Sequence, residues 1–173
     1  VRWEEEVRPA LPTRFGLATG PVVVGNIGAS SRLAYTVLGD TVNFASRIEG
    51  LSKVYGTFVL ADEGARDAAG EAFAWRRIDR IIALGKTEPA FLYELLGTVA
   101  ETPAAVREAA RRFEAAWDDY AAGEFARAAS ALEGLVSDGH DSGPVSRLLE
   151  RCRQYENEPP GADWNGLTRM TRK

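Results

Sequence analysis

Short β-branched runs alternate with a helical period between residues 14 and 95, and the alternation stops at the stretch Gly97 to Pro103. A chain whose apolar period switches between 2 and 3.6 must lay helices over a sheet, because each element has one apolar face to bury. Arg14 to Ala18 and Val22 to Ile27 flank Thr19-Gly20-Pro21, which predicts strand, turn and strand, with a hairpin as the economical pairing. Leu33 to Leu38 predicts a third strand, ending at Gly39. Asp40 or Thr41 can cap a helix whose apolar positions Val42, Ala45, Ile48, Leu51 and Val54 run on to Gly56. Beyond it, Thr57 to Leu60 reads as a strand, Ala61 to Ala69 as a short helix, and Phe73 to Leu84 and Phe91 to Leu95 as strands.

Past the break the chain is Ala-rich and purely helical in period. Pro103 to Ala121 and Glu124 to Val136 are separated by Gly123, and Phe113, Trp117, Tyr120, Phe125, Ala128 and Leu132 form their packing stripe. This pair resembles a single tetratricopeptide-like hairpin, and one such unit cannot bury its own face. A third helix is expected over Pro144 to Tyr155, after a loop rich in turn formers. The expected organisation is residues 1–97 as an α+β sandwich, 98–103 as a linker, 104–156 as a helical extension and 157–173 as an irregular tail that Trp164 folds back onto the body.

Composition narrows the function. The chain has 173 residues, 45% of them apolar and 27% charged, which suits a globular domain with a smaller appendage. A net charge of -4 supplies no general attraction for polyanions, so no nucleic-acid partner is expected. One cysteine, Cys152, and one histidine, His140, exclude an internal disulfide and a His/Cys zinc cluster. The apolar runs Pro21 to Val24 and Ile81 to Leu84 are far shorter than the roughly 20 residues that cross a bilayer. The chain as given is therefore expected to be cytoplasmic. It opens Val-Arg-Trp-Glu-Glu-Glu, which reads as an amino-terminal truncation, and a missing N-terminal region can anchor the full-length protein to a membrane.

The stretch from Gly16 to Glu63 contains Thr19-Gly20-Pro21, the Gly25/Gly28 loop, Tyr35-Thr36-Val37-Leu38-Gly39-Asp40-Thr41-Val42-Asn43, and an Asn-Phe-Ala-Ser-Arg helix start. It resembles the C-terminal part of a class III nucleotidyl cyclase catalytic domain, the adenylate and guanylate cyclase family. The likeness continues through Arg77-Ile78-Asp79 and Gly85-Lys86-Thr87-Glu88-Pro89 to Tyr93-Glu94-Leu95. It implies a partial ferredoxin-like cyclase sandwich whose first strand and metal loop lie upstream of residue 1. The extension, with Asp163-Trp164-Asn165-Gly166, resembles tails that follow cyclase domains in some bacterial sensor proteins.

Asn43 and Arg47 are four residues apart and project from one face of a helix. A guanidinium presents a fixed fork of donors to phosphate oxygens, and an Asn amide donates and accepts at once, so the pair can hold a nucleotide's phosphate and ribose. Outside the motif, the plainer reading is that Arg47 pairs with Glu49 or Asp40 and that Asn43 caps the helix. The resemblance assigns both to catalysis and nucleotide binding, and it places Thr36 at the base-reading position, where Thr favours adenine over guanine. It implies conversion of ATP to cyclic AMP and pyrophosphate in a homodimer with magnesium or manganese, whose two aspartate ligands lie upstream. No metal ligand is assigned in this chain, and the isolated fragment is expected to be inactive.

Gly85-Lys86-Thr87 looks like the end of a Walker loop, but the earlier glycine that loop needs would fall at Arg80. Leu84 stands where the family often carries a triphosphate-contacting Lys, with Lys86 two residues on. That departure, with the absent aspartates, supports the competing reading of a non-catalytic cyclase-like regulatory module. In either reading the helical extension can contact another protein.

Overall fold

The computed structural model describes residues 11–29, 32–82 and 88–169. The strands are β1 (Phe15–Leu17), β2 (Val23–Ala29), β3 (Arg32–Leu38), β4 (Val59–Asp62), β5 (Phe73–Ile82), β6 (Ala90–Thr98) and β7 (Leu167–Arg169). The helices are α1 (Asp40–Tyr55), α2 (Glu63–Ala69), α3 (Ala104–Ala121), α4 (Phe125–Ser137) and α5 (Gly143–Asn157), with a 3-10 turn at Gly70–Ala72. The class is α+β, as the alternating pattern predicts. Leu84, Lys86 and the Gly85-Lys86-Thr87 segment lie outside the described residues.

Five strands form one sheet in the order β1-β4-β6-β5-β7, and β2 and β3 form a separate two-stranded sheet. The expected hairpin across Thr19-Gly20-Pro21 is not formed. β1 instead pairs in parallel with β4, and β2 pairs antiparallel with β3 from Val23↔Leu38 to Ala29↔Arg32. The turn diverts the chain because it is tied to helix starts: the Thr41 hydroxyl donates to the Pro21 carbonyl at 3.0 Å, and the Thr19 N–H donates to Asp62. The short helix also begins later than the sequence suggests. Asp62 closes β4 and caps α2 by accepting from Ala65 N at 2.7 Å, so the helix starts at Glu63 rather than Ala61.

α1 packs on β1 and β4 through a close approach that only glycine allows. A Cβ built on Gly16 would lie 2.2 Å from the Ala45 carbonyl oxygen and 2.4 Å from Glu49 N. The first turn of α1 has no side-chain cap. Gly39 is the N-cap, Asp40 is already helical, and the Asn43 N–H closes onto the Gly39 carbonyl. The expected capping by Asp40 or Thr41 is therefore replaced by a backbone start.

One apolar core joins Ile48, Tyr55, Leu60, Ile78, Ile81 and Leu92 of the first half to Phe113, Trp117, Tyr120, Leu132, Leu135, Leu148 and Cys152 of the helices. The helical hairpin thus hides its face against the sheet. α3 also covers the outer edge of β5, where Glu114 accepts the Arg77 backbone N–H at 2.7 Å, and β7 pairs with residues 80–82 of the same edge. β7 falls inside the tail read as irregular. Trp164 anchors that tail as expected, donating to the Tyr120 carbonyl at 2.9 Å and packing edge-on against Tyr120, Phe125 and Tyr155.

Candidate functional site

α1 carries Asn43 and Arg47 one turn apart on the row that continues through Leu51 to Tyr55. Asn43 is exposed and Arg47 half-buried. Arg47 makes no ion pair with Glu49 or Asp40, and the pair has no side-chain hydrogen bond among the described residues. Both side chains are thus presented outward from a helix whose opposite face is fixed by Gly16 and by the buried Ile48 and Ser52.

Thr36 sits at the middle of β3, opposite Gly25 of β2 and half-buried. The glycine leaves the space beside the Thr36 hydroxyl clear, since a Cβ at Gly25 would meet no atom within 4 Å. The β2–β3 hairpin precedes α1 directly, and among the described residues its one extensive packing is between its own two strands. The structure therefore unites Asn43 and Arg47 on one surface and sets Thr36 on a neighbouring, separate one. Gly25 and Gly28 are ladder positions of β2, paired with Thr36 and Leu33, and Gly28 takes a φ of 141°, a conformation that favours glycine.

The described concavities lie elsewhere. Clefts of about 160 and 540 Å³ run beside β5 and α3, lined by Trp75, Arg77, Arg107, Arg111 and Glu114, and neither includes Thr36, Asn43 or Arg47. Asn43 is exposed, and Thr36 and Arg47 are half-buried, outside both clefts.

The carboxylates of the described residues do not fit a magnesium or manganese centre. Among the described residues no three His, Cys, Asp or Glu side chains converge as a cation site. Asp62 is committed to Ala65 N and Thr19 N, and Asp79 is buried under the Arg151 guanidinium.

Asp79 has a role that its place in the Arg77-Ile78-Asp79 motif does not reveal. It is fully buried and accepts from the Tyr55 hydroxyl at 2.5 Å, Arg151 Nη1 at 2.7 Å, the Thr168 hydroxyl at 3.1 Å and Trp117 Nε1 at 3.4 Å. Burial, and then the Asp79 charge, raise the Tyr55 phenol well above its usual range, so it stays a donor. Burial alone would lower the Arg151 guanidinium, but the Asp79 carboxylate overrides it and pushes the group up. A lone carboxylate inside the apolar strand Ile78 to Ile82 was the signal available in the sequence, since buried acids are almost always paired. Arg76 makes a second buried pair with Glu94, at 2.5 Å, and donates to Ser142 at 3.1 Å.

Comparison with known proteins agrees with the motif. Residues 3–87 match the adenylate and guanylate cyclase catalytic domain. The chain is 44% identical over 91 residues to adenylate cyclase 1 of Rhizobium meliloti (strain 1021), covering 53% of this chain and 14% of that one. It is 41% identical over 90 residues to an adenylate cyclase of Anabaena cylindrica, covering 50% and 18%. The chain thus spans under a fifth of the length of these two relatives. Among solved structures it is similar to the adenylyl cyclase CyaB from P. aeruginosa, with a TM-score of 0.45 and 27% identity over 55% of this chain and 48% of that one. The segment of residues 3–87, which bears Thr36, Asn43 and Arg47, matches the adenylate and guanylate cyclase catalytic domain family.

Proposed function

We propose that this chain supplies the Asn43/Arg47 wall of an adenylate cyclase active site that is completed across a homodimer interface. The observation that carries the reading is the pair itself: two polar side chains on one row of α1, with no internal hydrogen-bond partner among the described residues, inside the family segment. In this reading the ribose 3′-hydroxyl of ATP loses its proton and bonds to the α-phosphorus while the bond to pyrophosphate breaks, giving cyclic AMP. Arg47 donates to the phosphate oxygens as charge gathers on them, and Asn43 orients the ribose through its amide. Thr36 offers a hydroxyl that can donate and accept at the adenine edge. Magnesium or manganese belongs to side chains outside this chain, so the 173-residue chain alone makes no product.

A site with one wall on an open face needs a second surface, and the exposed apolar residues of the β2–β3 hairpin provide area for one. The helices α3–α5 are available for contact with another protein. The chain is proposed to act in the cytoplasm; none of its described helices is long and apolar enough to cross a membrane.

The test measures cyclic AMP and cyclic GMP formation with magnesium or manganese by the full-length protein, its Arg47→Ala variant and this chain alone. Cyclic AMP from the first, about 10² to 10³-fold less from the variant and none from this chain alone supports the reading. Cyclic GMP as the main product would overturn the role of Thr36. No product of either kind from the full-length protein would leave the non-catalytic module as the answer.

A further inference from the structure

The C-terminal end of α1 is held by α5 at three successive turns. Gly143, the first residue of α5, lies so close that a Cβ there would sit 2.1 Å from the Tyr55 carbonyl oxygen and 3.0 Å from Gly56 Cα. The Arg147 guanidinium stands 5.6 Å from the centre of the Tyr55 ring. Arg151 donates to Asp79 Oδ2 at 2.7 Å, the same oxygen that accepts the Tyr55 hydroxyl at 2.5 Å. Residues 143, 147 and 151 are one row of α5, just as 43, 47, 51 and 55 are one row of α1.

We infer that Tyr55, Asp79 and Arg151 are positioning residues through which α5 sets the placement of α1, and with it Arg47 and Asn43. α1 is a single 16-residue helix with no proline or break after its first turn. Tyr55 and Arg47 are two turns apart, about 12 Å at 1.5 Å per residue. A helix pinned at one end by charge-assisted hydrogen bonds carries any tilt of that end into displacement at the other. Thr168 of β7 and Trp117 of α3 donate to Asp79 as well, so α3, α5 and β7 converge on the carboxylate that holds Tyr55. The catalytic consequence rests on the proposed role of Arg47; the mechanical coupling does not.

Tyr55→Phe keeps the ring and removes the donor. In the full-length protein it is expected to lower kcat for cyclic AMP about tenfold, as one hydrogen bond to a charged group commands, with KM for ATP moving less than about twofold. In the Tyr55→Phe/Arg47→Ala double variant the combined loss falls short of the product of the two single losses, because the first change acts in part through Arg47. Hydrogen exchange in the same protein should show the amides of residues 43–51 losing at least about tenfold protection while those of α4 hold theirs. Gly143→Ala, which removes no polar contact, should loosen the same amides.

Additive losses in the double variant would overturn the inference, and so would unchanged exchange in α1 for both Tyr55→Phe and Gly143→Ala. If Arg47→Ala proves fully active while α1 exchange still responds to Tyr55→Phe, the nucleotide role of Arg47 fails and the coupling stands.

Discussion

The two flanks of the molecule treat apolar surface in opposite ways. On the flank built from β5, β7 and the C-terminal helices, large apolar side chains other than Phe73 and Val136 are covered, and the strand edge is closed by Glu114 and by β7. On the flank built from β1 and the β2–β3 hairpin they are bare: Tyr35 is 76% exposed, Val23 68% and Leu33 60%. β1 has no strand on its outer side among the described residues, and Phe15 and Leu17 are exposed there. A two-stranded hairpin with so little cover is marginal in water. The contrast teaches that the C-terminal half stabilises itself, whereas the flank next to Asn43 and Arg47 presents a surface suited to a partner.

The largest effect that can break this comparison is catalytic. Arg47→Ala in the full-length protein is expected to lower kcat about 10² to 10³-fold, the loss typical of one transition-state donor, without lowering the melting temperature. A melting temperature that fell with activity would place Arg47 in the self-contained half instead.

Next comes the buried charge node. Arg151→Met leaves the Asp79 carboxylate without its cation and should cost about 3 to 5 kcal/mol of unfolding free energy, read by urea denaturation of this chain. A loss below about 1 kcal/mol would show that the covered flank does not depend on the node.

Alkaline pH probes the same flank without mutation. Burial raises the Tyr55 and Tyr120 phenols above their ordinary value of 10.0, and pushes the Cys152 thiol from 9.0 up to about 12. Groups with raised folded-state pKa values contribute stability that is complete below the unfolded pKa and is lost as pH rises toward the folded one. Unfolding free energy should therefore decline from about pH 9 for the thiol and from about pH 10 for the phenols, by about 1.4 kcal/mol per pH unit for each group. Cys152→Ala should remove the earliest part of that decline in a urea series across pH 8 to 11.

The smallest effect belongs to the bare hairpin. Tyr35→Ser and Leu33→Ser should each change the stability of this chain by less than about 0.5 kcal/mol. The same changes should weaken self-association of the full-length protein in sedimentation experiments. A destabilised chain with unchanged association would reverse the assignment of the two flanks.

Much of this was legible in the sequence, and the exceptions share a cause. α1 was readable because its apolar spacing, terminal Gly56 and Asn43/Arg47 offset are all local. β4, β5 and β6 were readable from residue type, yet their order in the sheet was not. The strand pairing around Thr19-Gly20-Pro21 was misjudged because the turn's bonds run to Thr41 and Asp62, the latter 43 residues from Thr19. β7 was missed because three residues carry too little pattern to mark a strand, and only the open edge of β5 makes one of them.

By itself the sequence determined the α+β class, the family match of residues 3–87 and the placing of Asn43 and Arg47 on one row of a helix, since these depend on residue type and short spacings. Only the tertiary structure decided that Asp79 would meet Arg151 across 72 residues, and that both would hold Tyr55. The reason is physical: a carboxylate excluded from water must find its cation and donors wherever the folded chain brings them, and no local pattern specifies which ones.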